Sequence, residues 1–99
     1  MNIKEMLKNH LDEQGRLMSF PSKRKLKNAV LFLMASKFEP NRKYGEKEVN
    51  QILDDACCFQ DAAMLRRELF FFQFLDRKID GSEYWLRAPQ PTLESFDLE

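Results

Sequence analysis

One histidine, two neighbouring cysteines and two neighbouring aspartates are the residues whose types could do chemistry in this chain: His10, Cys57, Cys58, Asp54 and Asp55. Their spacing does not build a catalytic set. Adjacent residues of a helix point about 100° apart, so Asp54 and Asp55 do not converge as a general acid and base. The side chains of adjacent cysteines diverge, which disfavours a bridge between Cys57 and Cys58. Two thiols without a further Cys/His cluster make neither a disulfide framework nor a metal site, so buried or half-buried reduced thiols are expected. His10 falls on a short first helix and reads as a surface or rim histidine. Nothing in the sequence brings it to Cys58. The chain has no glycine-rich phosphate loop and no nucleophile elbow. The expectation is a binding protein, not an enzyme, with no cofactor and no metal.

The chemistry that remains is charge and apolar surface. Sixteen Lys and Arg balance sixteen Asp and Glu across 99 residues, but unevenly. Between Ser22 and Lys43 seven cations stand against Glu39 alone, a local charge of +6. Between Tyr44 and Asp61 only Lys47 opposes five acids, a local charge of −4. This asymmetry says more about partners than the neutral total does. For double-stranded DNA, the candidate base or phosphate contacts are Arg66 and Arg67 on a recognition helix. Lys23, Arg24, Lys25 and Lys27 would hold the backbone from the start of an earlier helix, and Lys43, Lys47 and Lys78 would do so from a wing. The plainer alternative pairs Arg66 with a nearby acid and leaves the lysines as solvated surface. The neutral total and the acidic middle segment weaken nonspecific DNA affinity. The expected function is a transcriptional-regulator domain that binds DNA weakly through the recognition helix and wing; the alternative is a protein-interaction or dimerisation module without DNA binding, whose signal is Phe70 and Phe71.

The elements that must position these residues follow from periodicity. Ile3, Leu7 and Leu11 share one face of a first helix, Asn2 to Leu11, broken at Asp12-Glu13-Gln14-Gly15. Arg16 to Phe20 is extended ahead of Pro21. Ser22 caps a helix over Lys23 to Phe38 that is apolar nearly all round and hence central. Arg42-Lys43-Tyr44 is a short strand. Glu46 to Ala56 and Asp61 to Gln73 are two more helices joined by a tight turn. On the last, Leu69 and Phe72 return to within about 40° of Leu65, whereas Phe70 and Phe71 lie more than about 100° away. Those two rings need another cover: a second subunit in a two-fold dimer, the N-terminal helix, or the tail residues Leu93 and Phe96. Asp80-Gly81 predicts a two-residue type I′ hairpin turn, which sets Lys78 opposite Glu83, Arg77 opposite Tyr84 and Leu75 opposite Leu86.

Helix, short strand, helix, turn, helix and hairpin is the order of a winged helix-turn-helix. The expected fold class is therefore α+β, with an extra N-terminal helix and a C-terminal hairpin wing. A generic small α+β domain is the alternative. Residues 1–87 form the domain, with 1–21 as helix and lead-in, and 88–99 an acidic tail of charge −3 expected to be loosely attached. An apolar content of 43% suffices for one core, and no apolar run approaches the roughly 20 residues of a membrane span. The N-terminus has no signal-peptide pattern, so a cytoplasmic, membrane-free protein is expected.

The residues also carry a resemblance. It runs from Leu11-Asp12-Glu13 and Gly15-Arg16-Leu17 through Phe20-Pro21-Ser22-Lys23-Arg24-Lys25 and Lys37-Phe38-Glu39. It continues with Tyr44, Glu46-Lys47-Glu48-Val49-Asn50 and Ile52-Leu53, then Leu65-Arg66-Arg67-Glu68-Leu69. Leu75, Arg77, Asp80-Gly81-Ser82 and Tyr84-Trp85 complete it. In this order these motifs resemble the bacterial Domain of Unknown Function family twenty eighty-seven, whose members occur alone or fused behind winged-helix transcriptional regulators. The resemblance implies a helix-turn-helix-like domain with a regulatory role and no established activity. The chain departs from it at Gly45, where a hydroxyl residue is usual, at Phe71, where an acid is usual, and at Gln73, where glycine is usual.

Overall fold

The computed structural model describes residues 2–98 and is α+β: four helices followed by an antiparallel hairpin. α1 is Ile3–Met6, α2 Arg24–Ala35, α3 Glu46–Asp55 and α4 Ala62–Phe71. The strands are β1, Leu75–Arg77, and β2, Tyr84–Leu86. Tyr44 joins the hairpin as a single-residue third strand, exchanging two backbone hydrogen bonds of 2.8 Å with Tyr84. That contact closes the wing onto the segment between α2 and α3, giving a winged-helix-like arrangement with an added N-terminal helix.

α2 is the axis of the core. Ala29, Val30, Leu31, Leu33, Met34 and Ala35 are all buried, as its nearly all-round apolar pattern requires. Lys23, not Ser22, takes its cap position, and no side chain caps it. The helix stops at Ala35, three residues before Phe38, through two turns that Lys37 and Phe38 close on Met34 and Ala35. The cap position of α3 is Gly45, which has no side-chain oxygen to cap with. Glu48 compensates by accepting the Gly45 N–H at 3.1 Å. Asp61 caps α4 by accepting from Met64 N–H at 3.4 Å.

The N-terminal helix is shorter than its periodicity predicts. One α-turn is followed by a 3₁₀ turn at Lys8–His10, and Leu11 is extended. The cause is Asp12, whose carboxylate accepts from Gln14 N–H and Arg16 N–H and folds the chain back through Gly15 at φ 81°. Leu17 then pairs with Leu11 on one side and with Cys57 on the other. The lead-in is thus stitched to the α3–α4 connection, and α1 packs on α2 with Leu7 fully buried.

The C-terminal segment is not a loose tail. Leu98 is fully buried and its N–H donates to Leu93 at 2.9 Å. The Phe96 ring meets Phe32 and Phe74 edge-on at 5.4 and 5.5 Å. Residues 88–98 therefore belong to the folded unit, against the expected boundary at Arg87. Their apolar residues, Leu93, Phe96 and Leu98, recur at helical and turn spacings that the two prolines obscured. No helix among the described residues is long and apolar enough to cross a membrane.

Candidate interaction surface

α4 and the wing are joined by a helix end that the sequence places two residues too late. The helix stops at Phe71, Phe72 is its cap and Gln73 takes φ 70°. Gln73 N–H donates to Phe70 C=O at 3.1 Å and Phe74 N–H to Leu69 C=O at 2.8 Å, the double bond of a Schellman cap. This turn drops Phe74 into the core, where it is fully buried against Phe32. Phe72 remains half-buried, over Phe96 and Phe71. Phe70 and Phe71 stay outside, 38% and 73% exposed.

The hairpin register holds as expected, Leu75 to Leu86 and Arg77 to Tyr84, and the Lys78–Glu83 pair closes at 2.8 Å. The turn type is different. Only Gly81, at φ 75°, is left-handed, whereas type I′ needs both central residues to be so. Gly81 N–H bonds back to Lys78 C=O and Asp80 accepts from Ser82 N–H, leaving Ile79 fully exposed at the tip of a longer loop.

A groove of about 410 Å³ lies between α4 and the wing, lined by Glu46, Arg66, Arg67, Phe70, Phe71, Arg77 and Tyr84. Arg66 is committed inside it. One guanidinium nitrogen donates to Asn50, another sits 3.4 Å from Glu46, and the side chain is 14% exposed. Arg66 is therefore a clamp between α3 and α4 and not a free contact for a base edge. Arg67 is exposed on the same helix. Arg77, which sequence reasoning did not single out, lies 4.6 Å above the Phe70 ring. Phe70 thus gains partial cover from the wing, and neither α1 nor the tail supplies it.

The other candidate cations do not gather around this groove. Arg24 pairs with Glu68 at 3.8 Å and lies over Phe72. Lys27 lies over Phe20. Lys78 is engaged with Glu83, and that hydrogen bond raises the Lys78 pKa and lowers that of Glu83. Lys43 lies over Trp85, which neighbours Tyr84 on β2 and so points to the opposite face of the wing. Lys23, Lys25 and Lys47 are exposed.

Cys57 and Cys58 separate completely. Cys57 is buried with its sulfur 3.9 Å from Met34 Sδ, and burial pushes its thiol up to about 11. Cys58 is exposed, contrary to expectation, and its thiol donates to Asp12 at 3.3 Å. The Asp12 pKa is lowered chiefly by the Arg16 backbone N–H. Among the described residues no three His, Cys, Asp or Glu side chains gather as a metal site would require. The arrangement sets two outward phenyl rings beside guanidinium groups and an adjacent groove.

Set against known proteins, the sequence matches the family described as uncharacterized protein conserved in bacteria (DUF2087) over residues 16–86. No curated protein and no solved structure matches the chain.

Proposed function

The chain belongs to the DUF2087 family of uncharacterized proteins conserved in bacteria, and on that premise we propose that it is a non-catalytic module that docks a partner protein on the outer face of α4 and its wing. The observation that carries this reading is the division of labour along one helix. Arg66, one of the two arginines that the sequence offers for reading DNA, is held by Glu46 and Asn50, while Phe70 and Phe71 face outward between Arg67 and Arg77. Exposed aromatics beside arginine are the composition of interface anchors, not of a phosphate-tracking surface. α3 reinforces the point, because its first turn presents Glu46 and Glu48 where a helix-turn-helix would approach the backbone. The groove holds three guanidinium groups against one carboxylate, so the partner segment that suits it is acidic with an apolar anchor.

Selection of a random peptide library on the folded protein tests this reading. Peptides combining acidic and large apolar residues are expected, with binding lost on Phe70→Ala and on Arg77→Ala. Enrichment that ignores both substitutions sinks it. DNA binding retains one specific support: Lys23, Lys25, Lys47 and Arg67 are exposed and form no ion pair among the described residues. Fluorescence anisotropy of a labelled duplex at low salt decides that question. We expect no saturable binding into the high micromolar range. Binding that falls steeply with salt and weakens on Arg67→Ala transfers the function to nucleic acid.

A further inference from the structure

Phe71 is a ridge between two hollows of opposite character. On one side is the cationic groove. On the other is a cleft of about 520 Å³ between the end of α4 and the C-terminal segment, lined by nine residues that include Phe72, Pro89, Pro91, Thr92 and Phe96. None of the nine is charged, in a chain where 32% of residues are, so about three would be expected by composition. The cleft is large enough to take a phenyl ring, since sites for small molecules begin at roughly 300 Å³. The Phe71 ring beside it forms a T-shaped pair with Phe72, centroids 5.0 Å apart, and is 73% exposed.

We propose that a second copy of this chain docks here about a two-fold axis, the Phe71 ring of each protomer entering the cleft of the other. A two-fold contact brings a patch against itself, so knob and hole must lie side by side on one face, and they do. The same requirement selects between the hollows. The groove carries a net positive lining and repels its own copy, whereas the uncharged cleft brings no like charges together. Cover from within the chain is already spent elsewhere. α1 packs on α2, and the tail has placed Phe96 and Leu98 in its own core. The dimer is weak, because a standard stable interface buries about 800 Å² per partner and this seam centres on one ring of roughly 150–250 Å². Phe71 lines both hollows, so the dimer takes one of the two outward rings and leaves Phe70, Arg67 and Arg77 to the docking groove.

Sedimentation equilibrium or light scattering across about 5–500 µM tests it. The apparent mass is expected to climb from one chain toward two. Phe71→Asp at the knob and Pro91→Arg in the hole should each weaken the association at least about tenfold. Phe71 is exposed and Pro91 half-buried, and far-ultraviolet circular dichroism with a thermal melt checks that each variant is folded. Should one variant not fold, the other carries the test. Phe70→Ala, which removes peptide docking at the groove, is expected to leave the dimer unchanged, so failure of one proposal is distinguishable from failure of the other. A chain that stays monomeric throughout, or a dimer indifferent to both variants, overturns the inference. In the monomeric case the cleft is left to an apolar segment of another protein.

Discussion

Gln73 holds a backbone conformation that any side chain opposes. A left-handed residue with a Cβ costs about 1–2 kcal/mol relative to glycine, and Gln73 sits at φ 70° because the Schellman cap of α4 needs that geometry. Gln73→Gly should therefore stabilise the protein by about 1 kcal/mol, less a few tenths for the greater freedom of unfolded glycine. Urea unfolding should show a higher midpoint with an unchanged slope; an unchanged or lower midpoint means the cap is not strained. The same residue explains an error of sequence reading. Glutamine is a good helix former, so periodicity ran α4 through to Gln73 and put Phe72 in the core. The glycine usual in the resembling family marked the true end. Once the helix ends at Phe71, Phe74 becomes the buried aromatic and Phe72 moves to the rim. The split between Cys57 and Cys58 was likewise hidden. Burial of one and not the other depends on Leu17 crossing from outside to pair with Cys57.

At the scale of elements, what was legible was local. The hairpin register followed from Asp80-Gly81, and with it the Lys78–Glu83 pair, because partners five residues apart are fixed by one turn. The turn's exact form was not legible, since Asp80 can serve either a two-residue or a longer loop by accepting from Ser82. The face of α2 was legible because its pattern is apolar almost throughout. Pairing of Arg66 with an acid stood as the plainer alternative, and Glu46 supplies it; the contact to Asn50 was not legible, because Asn50 lies 16 residues away on another helix and no local spacing announces it. That contact ties α3 to α4 and sets how the groove opens. Replacing Arg66 by Ala removes a charge-assisted hydrogen bond to Asn50, worth about 1.5–3 kcal/mol at most when well buried, together with the ion pair to Glu46. Glu46 is half exposed, which screens its share. A net loss of about 1.5–3 kcal/mol is expected in chemical unfolding, with no change in the salt dependence of any DNA affinity. A lowered salt slope in that variant would mean Arg66 reaches a phosphate after all.

At the scale of the whole molecule the question is where the folded unit stops. The family match ends at residue 86, and the sequence alone put the boundary at Arg87. The core does not respect that boundary. Phe96 closes an aromatic cluster over Phe32, Phe72 and Phe74, rings that come from α2 and from the end of α4. Gln90 adds a polar latch, donating at 2.8 Å to the carbonyl oxygens of both Phe74 and Arg87. Leu98 is then fully buried beyond a left-handed Asp97 at φ 57°. A tail that merely lay on the surface would tolerate truncation of its side chains. A tail that completes the core would not, because removing a buried leucine leaves both lost transfer energy and a cavity. Leu98→Ala should therefore cost about 2–4 kcal/mol, a large part of the roughly 5–15 kcal/mol that holds a small domain together. For a chain of this size that corresponds to a melting temperature lower by roughly 10–25 °C. Asp97→Gly, by the argument that applies to Gln73, should shift the melt slightly upward. A melt unmoved by Leu98→Ala would return residues 88–98 to the role of an appendage. It would also remove the fixed wall from the cleft beside Phe71, so the tail's stability and the dimer stand on the same packing.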